Sequence, residues 1–172
     1  MFEYTLLFIF PAAMMFAAFF DLFTMTIPNK VSIALVAGFA LVAPFSGLPW
    51  ATIGMHVLAG ALMLGVCVFM FWRGWMGGGD AKLLSAAALW IGFDHMLGFA
   101  TLVAICGGLL AVAILLYRSI LPPSWLLGQS WALRLHEKKG GIPYGIAIAA
   151  GAIWIYPSTS WFNGLSIMAL GG

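Results

Sequence analysis

Apolar residues run through this chain in long, nearly unbroken stretches, and the polar positions collect in the joints between them. The stretches cover about 4–20, 31–48, 53–72, 81–93, 96–117 and 142–156. Most approach the ~20 residues that a helix needs to cross a bilayer's hydrocarbon core, so six transmembrane helices are predicted. The alternating apolar and polar pattern of a membrane β-barrel is absent. The first stretch stops at Asp21. Pro28 turns Ile27 away from helix and suits the first turn of the next one. Pro44, Gly47 and Pro49 mark the turn after the second stretch, Trp72 and Trp75 resemble an interfacial aromatic belt, and Pro157 ends the sixth stretch. The tail from Ser158 onward is expected to be too short to span.

The fourth stretch is unusually short. A helix from Asp80 to Asp94 measures only about 21 Å, several Å less than the ~30 Å core. With Asp94 at one interface, Asp80 falls within the membrane's depth. There the glycine-rich segment 73–82, expected as an irregular turn, must be buried in protein or line a wet pocket. Between the fifth and sixth stretches, Pro122-Pro123-Ser124 and Gly140-Gly141 bracket a segment with Leu127, Trp131 and Leu135 on one stripe. This predicts an interfacial helix over about 124–139. Gly107 and Gly108 of the fifth stretch permit close helix contact.

Composition narrows the class further. The chain is 64% hydrophobic and 7% charged, with a mean hydropathy of +1.09, against about 25% charged residues in a soluble domain. The longest stretch outside the predicted spans, 118–141, is too short to bury a core of its own. The expected architecture is an all-α polytopic membrane protein, a single integral-membrane domain over 1–172. Cys67 and Cys106 lie in apolar stretches without a CxxC partner, which reads as small core residues and not as zinc or disulfide chemistry. His56, near the outer end of the third stretch, reads as a water-facing interfacial histidine, with a proton relay as the alternative. Glu3 and the lack of Lys or Arg before the first stretch argue against a cleavable signal peptide.

Charge placement orients the chain. Lys30, Arg73, Lys82, Arg118, Arg134, Lys138 and Lys139 are all the basic residues, and all fall in the first, third and fifth joints. With six spans those joints share one side. The positive-inside bias makes that side cytoplasmic and puts both termini outside.

Asp21 and Asp80 then lie at membrane depth near the same, cytoplasmic face. Intramembrane carboxylates are costly and point to function. Two of them held close cannot both ionise cheaply, so one stays protonated near neutral pH while the other acts as a base, the equipment of an aspartyl protease. The glycines at 77, 78 and 79 are expected to let the backbone turn sharply and a substrate strand approach. Lys82 is expected to support the pair, its ammonium favouring an ionised neighbouring carboxylate. Two plainer roles compete: Asp80 as the N-cap of the fourth helix, and Asp21 as the salt-bridge partner of Lys30 or Lys82.

Asp21 followed by Ile27-Pro28-Asn29, then Gly77-Gly78-Gly79-Asp80-Ala81-Lys82-Leu83-Leu84, then Gly141-Ile142-Pro143-Tyr144-Gly145-Ile146-Ala147-Ile148-Ala149, resembles the type IV prepilin peptidases. These are intramembrane aspartyl proteases of the GxGD type, matched here by Gly77, Gly79 and Asp80, and the chain is most similar to their short Tad/Flp-pilus branch. The resemblance implies Asp21 and Asp80 as the catalytic pair. It places Gly77, Gly78, Gly79, Lys82, Pro28, Asn29, Pro143 and Tyr144 around the active-site turn. It also implies removal of a short basic leader from prepilin or pseudopilin precursors in a bacterial inner membrane, at the cytoplasmic face, after a glycine. Lipid and pilus-assembly machinery would be the surroundings, with no metal, no cofactor and no nucleic acid. Larger members carry a cysteine-bearing insertion and methylate the new N-terminus. This chain lacks that insertion, which implies peptidase activity without methyltransferase. It also departs from the family in having Phe23-Thr24-Met25-Thr26 where a basic residue is usual. Two other classes remain in view: a proton-coupled transporter, whose broken helices also carry buried carboxylates, and a non-catalytic pilus-assembly subunit.

Overall fold

The computed structural model describes residues 2–121, 126, 128–137, 140–160 and 162–163. In chain order its helices are α1 (Phe2–Thr24), α2 (Asn29–Val42), α3 (Trp50–Trp72), α4 (Gly78–Ile91), α5 (Phe93–Ser119), α6 (Ser130–His136) and α7 (Tyr144–Ile155). Single 3₁₀ turns follow α2 at Ala43–Phe45 and α7 at Tyr156–Ser158. The described residues contain no strand.

Local chemistry explains the breaks. Met25 takes the left-handed conformation (φ 55°), and its N–H returns to the Asp21 carbonyl at 2.7 Å, closing α1. Pro28, extended at ψ 133°, starts α2. Gly92, with φ 84°, alone separates α4 from α5, a conformation that suits glycine.

The short helix α4 is the centre of the molecule. It packs on α3, α2, α7 and α5, while α7 packs on α1 and α5. Nine of the residues of α4 are buried, from Ala81 to Ile91. Ala86, Ala87 and Ala88 leave room for neighbouring helices to come close. At the C-terminal end of α4, the Trp90 indole donates to the Leu35 carbonyl at 2.9 Å. The same ring stacks on Phe10 and meets Phe39 edge-on. This aromatic cluster closes one end of the bundle. Asp80 stands at the other end of α4, in its first turn.

The outer helices turn large apolar side chains outward, among them Phe16, Phe19, Leu62, Val66, Leu109 and Leu116. Trp50–Trp72 and Phe93–Ser119 are long and apolar enough to cross a membrane, and Phe8–Thr24, Asn29–Phe45 and Tyr144–Ser158 are shorter apolar helices.

Several expectations need correction. The triple glycine is not an irregular turn, because α4 already begins at Gly78. The left-handed position of the α3–α4 joint is Gly74, with φ 73°. His56 does not face water: it is 3% exposed, its Nδ1 lies 3.0 Å from the Leu89 carbonyl, and it fills the space beside Gly92. The expected helix over 124–139 is shorter, since Gly128 and Gln129 are not helical and the helix ends at His136. Leu127, Lys138, Lys139 and most of the tail after Ser158 lie outside the described residues. Within α6, Leu135 is buried, and Trp131 packs edge-on against Phe23.

Candidate active site

Asp21 stands in the last turn of α1 and is 4% exposed. Its Oδ2 accepts the Gly145 N–H at 2.8 Å. That N–H is one of the donors that the first turn of α7 leaves without a helical partner. The contact requires glycine: a Cβ at position 145 would lie 2.8 Å from Asp21 Oδ2 and 3.1 Å from Ile27 Cδ1. Neither Lys30 nor Lys82 is the partner found for Asp21.

Asp80 is the third helical residue of α4, after the N-cap Gly77, so it is not itself the N-cap. Its Oδ2 lies close beside the N-cap, where a Cβ on Gly77 would come within 3.0 Å of it. An acidic side chain at this third helical position is where a capping box places one, so a place beside the N-cap and exposure to a groove coexist in one half-buried residue.

What brings the two together is a seam of close contacts. Gly79 packs on Ile27, where a Cβ would meet the Ile27 Cβ at 3.2 Å and its backbone N at 3.5 Å. Gly78 lies under the Phe71 ring, and a Cβ on Gly77 would reach Asp80 Oδ2 at 3.0 Å. The glycines therefore serve close approach. Lys82 Nζ donates to Asn29 Oδ1 at 3.0 Å, tying α4 to the start of α2, and is turned to that amide rather than to either carboxylate. Ile27 touches both Gly79 and Gly145, so the three separated patches meet at one residue.

Asp80 opens on a groove of about 750 Å³ bordered by Met25, Trp75, Gly77, Arg118, Gly141 and Tyr144. Asp21 is buried and is not part of that lining. Pro143 is buried and N-caps α7, while Tyr144 lies along α5, where a Cβ on Gly107 would be 2.5 Å from its ring. Pro28 N-caps α2 and is not among the residues that line the groove.

Four further residues belong to this end of the molecule. Gly145 lies inside a patch from which sequence singled out only Pro143 and Tyr144. Met25 carries the strained backbone beside the groove. Arg118 donates to the carbonyls of Leu135, Gly140 and Gly141 at 2.7, 3.0 and 2.9 Å, pinning the segment that leads into α7. Arg134 donates to the Phe23 carbonyl, so a cation from α6 reaches the Phe23-Thr24-Met25-Thr26 segment, which carries no basic residue of its own. A basic residue at the end of an apolar helix was the available signal for Arg118. Its partners were not.

A buried carboxylate that holds the N–H of a helix N-terminus, together with a second that faces a groove, is equipment that can perform general acid–base chemistry such as hydrolysis. The sequence model of the type IV leader peptidase family matches residues 8–112, a stretch that includes Asp21, Asn29 and Asp80. The chain belongs to that family. Its members are membrane-embedded proteases of the aspartic type, and membership implies prepilins as substrates. No curated protein and no solved structure matches the chain.

Proposed function

We propose that the chain is a leader peptidase of the short Tad/Flp type, with Asp21 and Asp80 as its catalytic pair. The observation that carries this reading is the convergence of the two aspartates, 59 positions apart in the chain, on Ile27: its side chain meets Gly79, next to Asp80, and Gly145, whose N–H the Asp21 carboxylate accepts. The pair shares one proton. Its ionised member takes a proton from water as the water oxygen adds to the carbonyl carbon of the scissile peptide. The protonated member hydrogen-bonds the carbonyl oxygen and then delivers its proton to the leaving amine as the C–N bond breaks. The proton taken from water replaces the one given up, so the pair ends as it began.

Asp80 is the member in contact with substrate, because it lines the groove. Asp21 completes the pair, held by Gly145. Gly79 holds the Asp80 turn against Ile27 and Gly78 against Phe71, Gly77 leaves room for the Asp80 carboxylate, Lys82 and Asn29 clamp the turn, and Tyr144 shapes the opposite wall with the buried Pro143 starting its helix. The chain sits in a bacterial inner membrane as six spans, with both termini outside and the groove at the cytoplasmic face. Five basic residues within the described chain support that orientation, since Lys30, Arg73, Lys82, Arg118 and Arg134 all sit at the joints on the Asp80 side. The substrate is an Flp-type prepilin carrying a short basic leader. With no cysteine-bearing insertion, the new N-terminus is left unmethylated.

Co-expression with candidate Flp-type prepilins, scored by leader removal and N-terminal sequencing, tests this. Wild type is expected to cleave one of them and leave a free amine. If a folded, inserted wild type cleaves none, the carboxylates have another task, and proton-coupled transport is the reading to assay next.

A further inference from the structure

On the face of α4 turned away from Asp80 lies a second groove, of about 680 Å³, between α2, α3 and α4. Lys82, Ser85, Ala86 and Leu89 border it, whereas Asp80 and Leu84 border the other. Its walls are apolar for most of their length, with Ile33, Val36, Val57 and Leu64 among them. One end is polar and cationic, formed by the bonded pair Lys82 and Asn29. One turn further in, Ser32 lines the groove at 7% exposure with a buried hydroxyl that has no hydrogen-bond partner. A serine in a helix ordinarily bonds back to a carbonyl of the preceding turn, as Ser85 does to Ala81 at 2.7 Å. Ser32 does not, and a buried unsatisfied hydroxyl carries a desolvation penalty that a ligand can relieve.

Dimensions decide the kind of ligand. From Asn29 to Ala40 the groove runs along 12 helical residues, whose 11 steps of 1.5 Å span about 16 Å. That is about half of a ~30 Å hydrocarbon core, the depth of one leaflet. An acyl chain is narrow enough and ends at the right depth. The cation at the mouth selects a headgroup of opposite charge.

We propose that this groove binds an anionic phospholipid, with Lys82 and Asn29 holding its phosphate, Ser32 donating to a glycerol ester carbonyl and one acyl chain lying between α2 and α3. The assignment rests on the membrane-embedded reading above. Because Lys82 and Asn29 also clamp the first turns of α4, the bound headgroup braces the helix that carries Asp80.

The full chain, purified in detergent and supplied with equal phosphatidylglycerol and phosphatidylcholine, is examined by native mass spectrometry for retained lipid. Prepilin cleavage is followed in parallel. Wild type is expected to retain phosphatidylglycerol about fivefold over phosphatidylcholine, the preference that one lysine near an anionic surface supplies. Lys82→Gln is expected to lose that preference, and Ala61→Trp, which fills the groove, to lose retention of both lipids. Ser32→Ala keeps the fold and weakens retention. Equal retention of the two lipids by wild type overturns the proposal. So does unchanged retention in folded Ala61→Trp, or a photo-cross-link from position 61 to prepilin in place of lipid. Asp80→Asn separates the two readings: retained lipid with persistent cleavage refutes the catalytic pair and leaves the lipid site standing.

Discussion

Adding one methyl group at position 145 tests the site most sharply. In Gly145→Ala the new carbon would lie 2.8 Å from Asp21 Oδ2, 3.0 Å from Asp21 Cβ and 3.1 Å from Ile27 Cδ1. Carbon–oxygen contacts settle near ~3.3 Å or beyond, so the carboxylate must move by about 0.5 Å and its 2.8 Å bond to the Gly145 N–H is disturbed. Overpacking of this kind costs about 1–3 kcal/mol, and a weakened hydrogen bond to a charged group adds up to about 1.5–3 kcal/mol. Alanine's better helix propensity offsets about 1 kcal/mol of that. A catalytic group misplaced by ~1 Å loses about 10²-fold in rate, so a half-ångström shift should cost about tenfold. The assay measures initial cleavage rate per folded molecule, with thermal unfolding in the same detergent to count folded protein. Gly108→Ala is the control, because a Cβ there meets nothing within 4 Å. It should leave the rate unchanged and stability equal or higher. Wild-type cleavage by folded Gly145→Ala refutes the argument that Asp21 is positioned by the close approach of α7.

Asp21→Asn and Asp80→Asn should each abolish leader removal while the protein still inserts and gives wild-type unfolding curves; retained cleavage in either removes the pair from the mechanism. Arg118→Gln, which loses the forked contacts to Gly140 and Gly141, should lower stability by about 1–3 kcal/mol and loosen the segment entering α7, seen as faster amide exchange at 140–145. Unchanged exchange there denies Arg118 that role. Trp90→Phe removes the bond to the Leu35 carbonyl and trims the buried ring that packs on Phe10 and Phe39 at the far end of α4. It should cost about 2–3 kcal/mol without slowing cleavage per folded molecule, and a slowed rate would mean that the two ends of α4 are coupled.

Much of the helical layout was legible in the chain because apolar runs leave the backbone little choice but to satisfy its own hydrogen bonds. Asp21 and Asp80 stood out as candidates for a similar reason, being rare charges beside long apolar runs. Other features misled because the local signal was outweighed. Gly77-Gly78-Gly79 reads as a breaker by propensity, yet packing on Ile27 and Phe71 draws Gly78 and Gly79 into the first turn of α4. His56 reads as a lone polar group near a helix end. A left-handed Gly92 opens the space beside it and Leu89 offers it a carbonyl, so it is buried instead.

By itself the sequence determined the helical class, the concentration of basic residues in alternate joints and the candidate carboxylates, since each follows from composition or spacing along the chain. Only the tertiary structure decided what those residues touch. The Gly145 N–H reaches Asp21 across 124 positions, and Lys82 reaches Asn29 across 53. The glycine at 145 matters for the methyl it lacks, and Ser32 for the partner its hydroxyl lacks. Such properties belong to the space between helices, which is set by how their surfaces pack and not by the local pattern of any one of them.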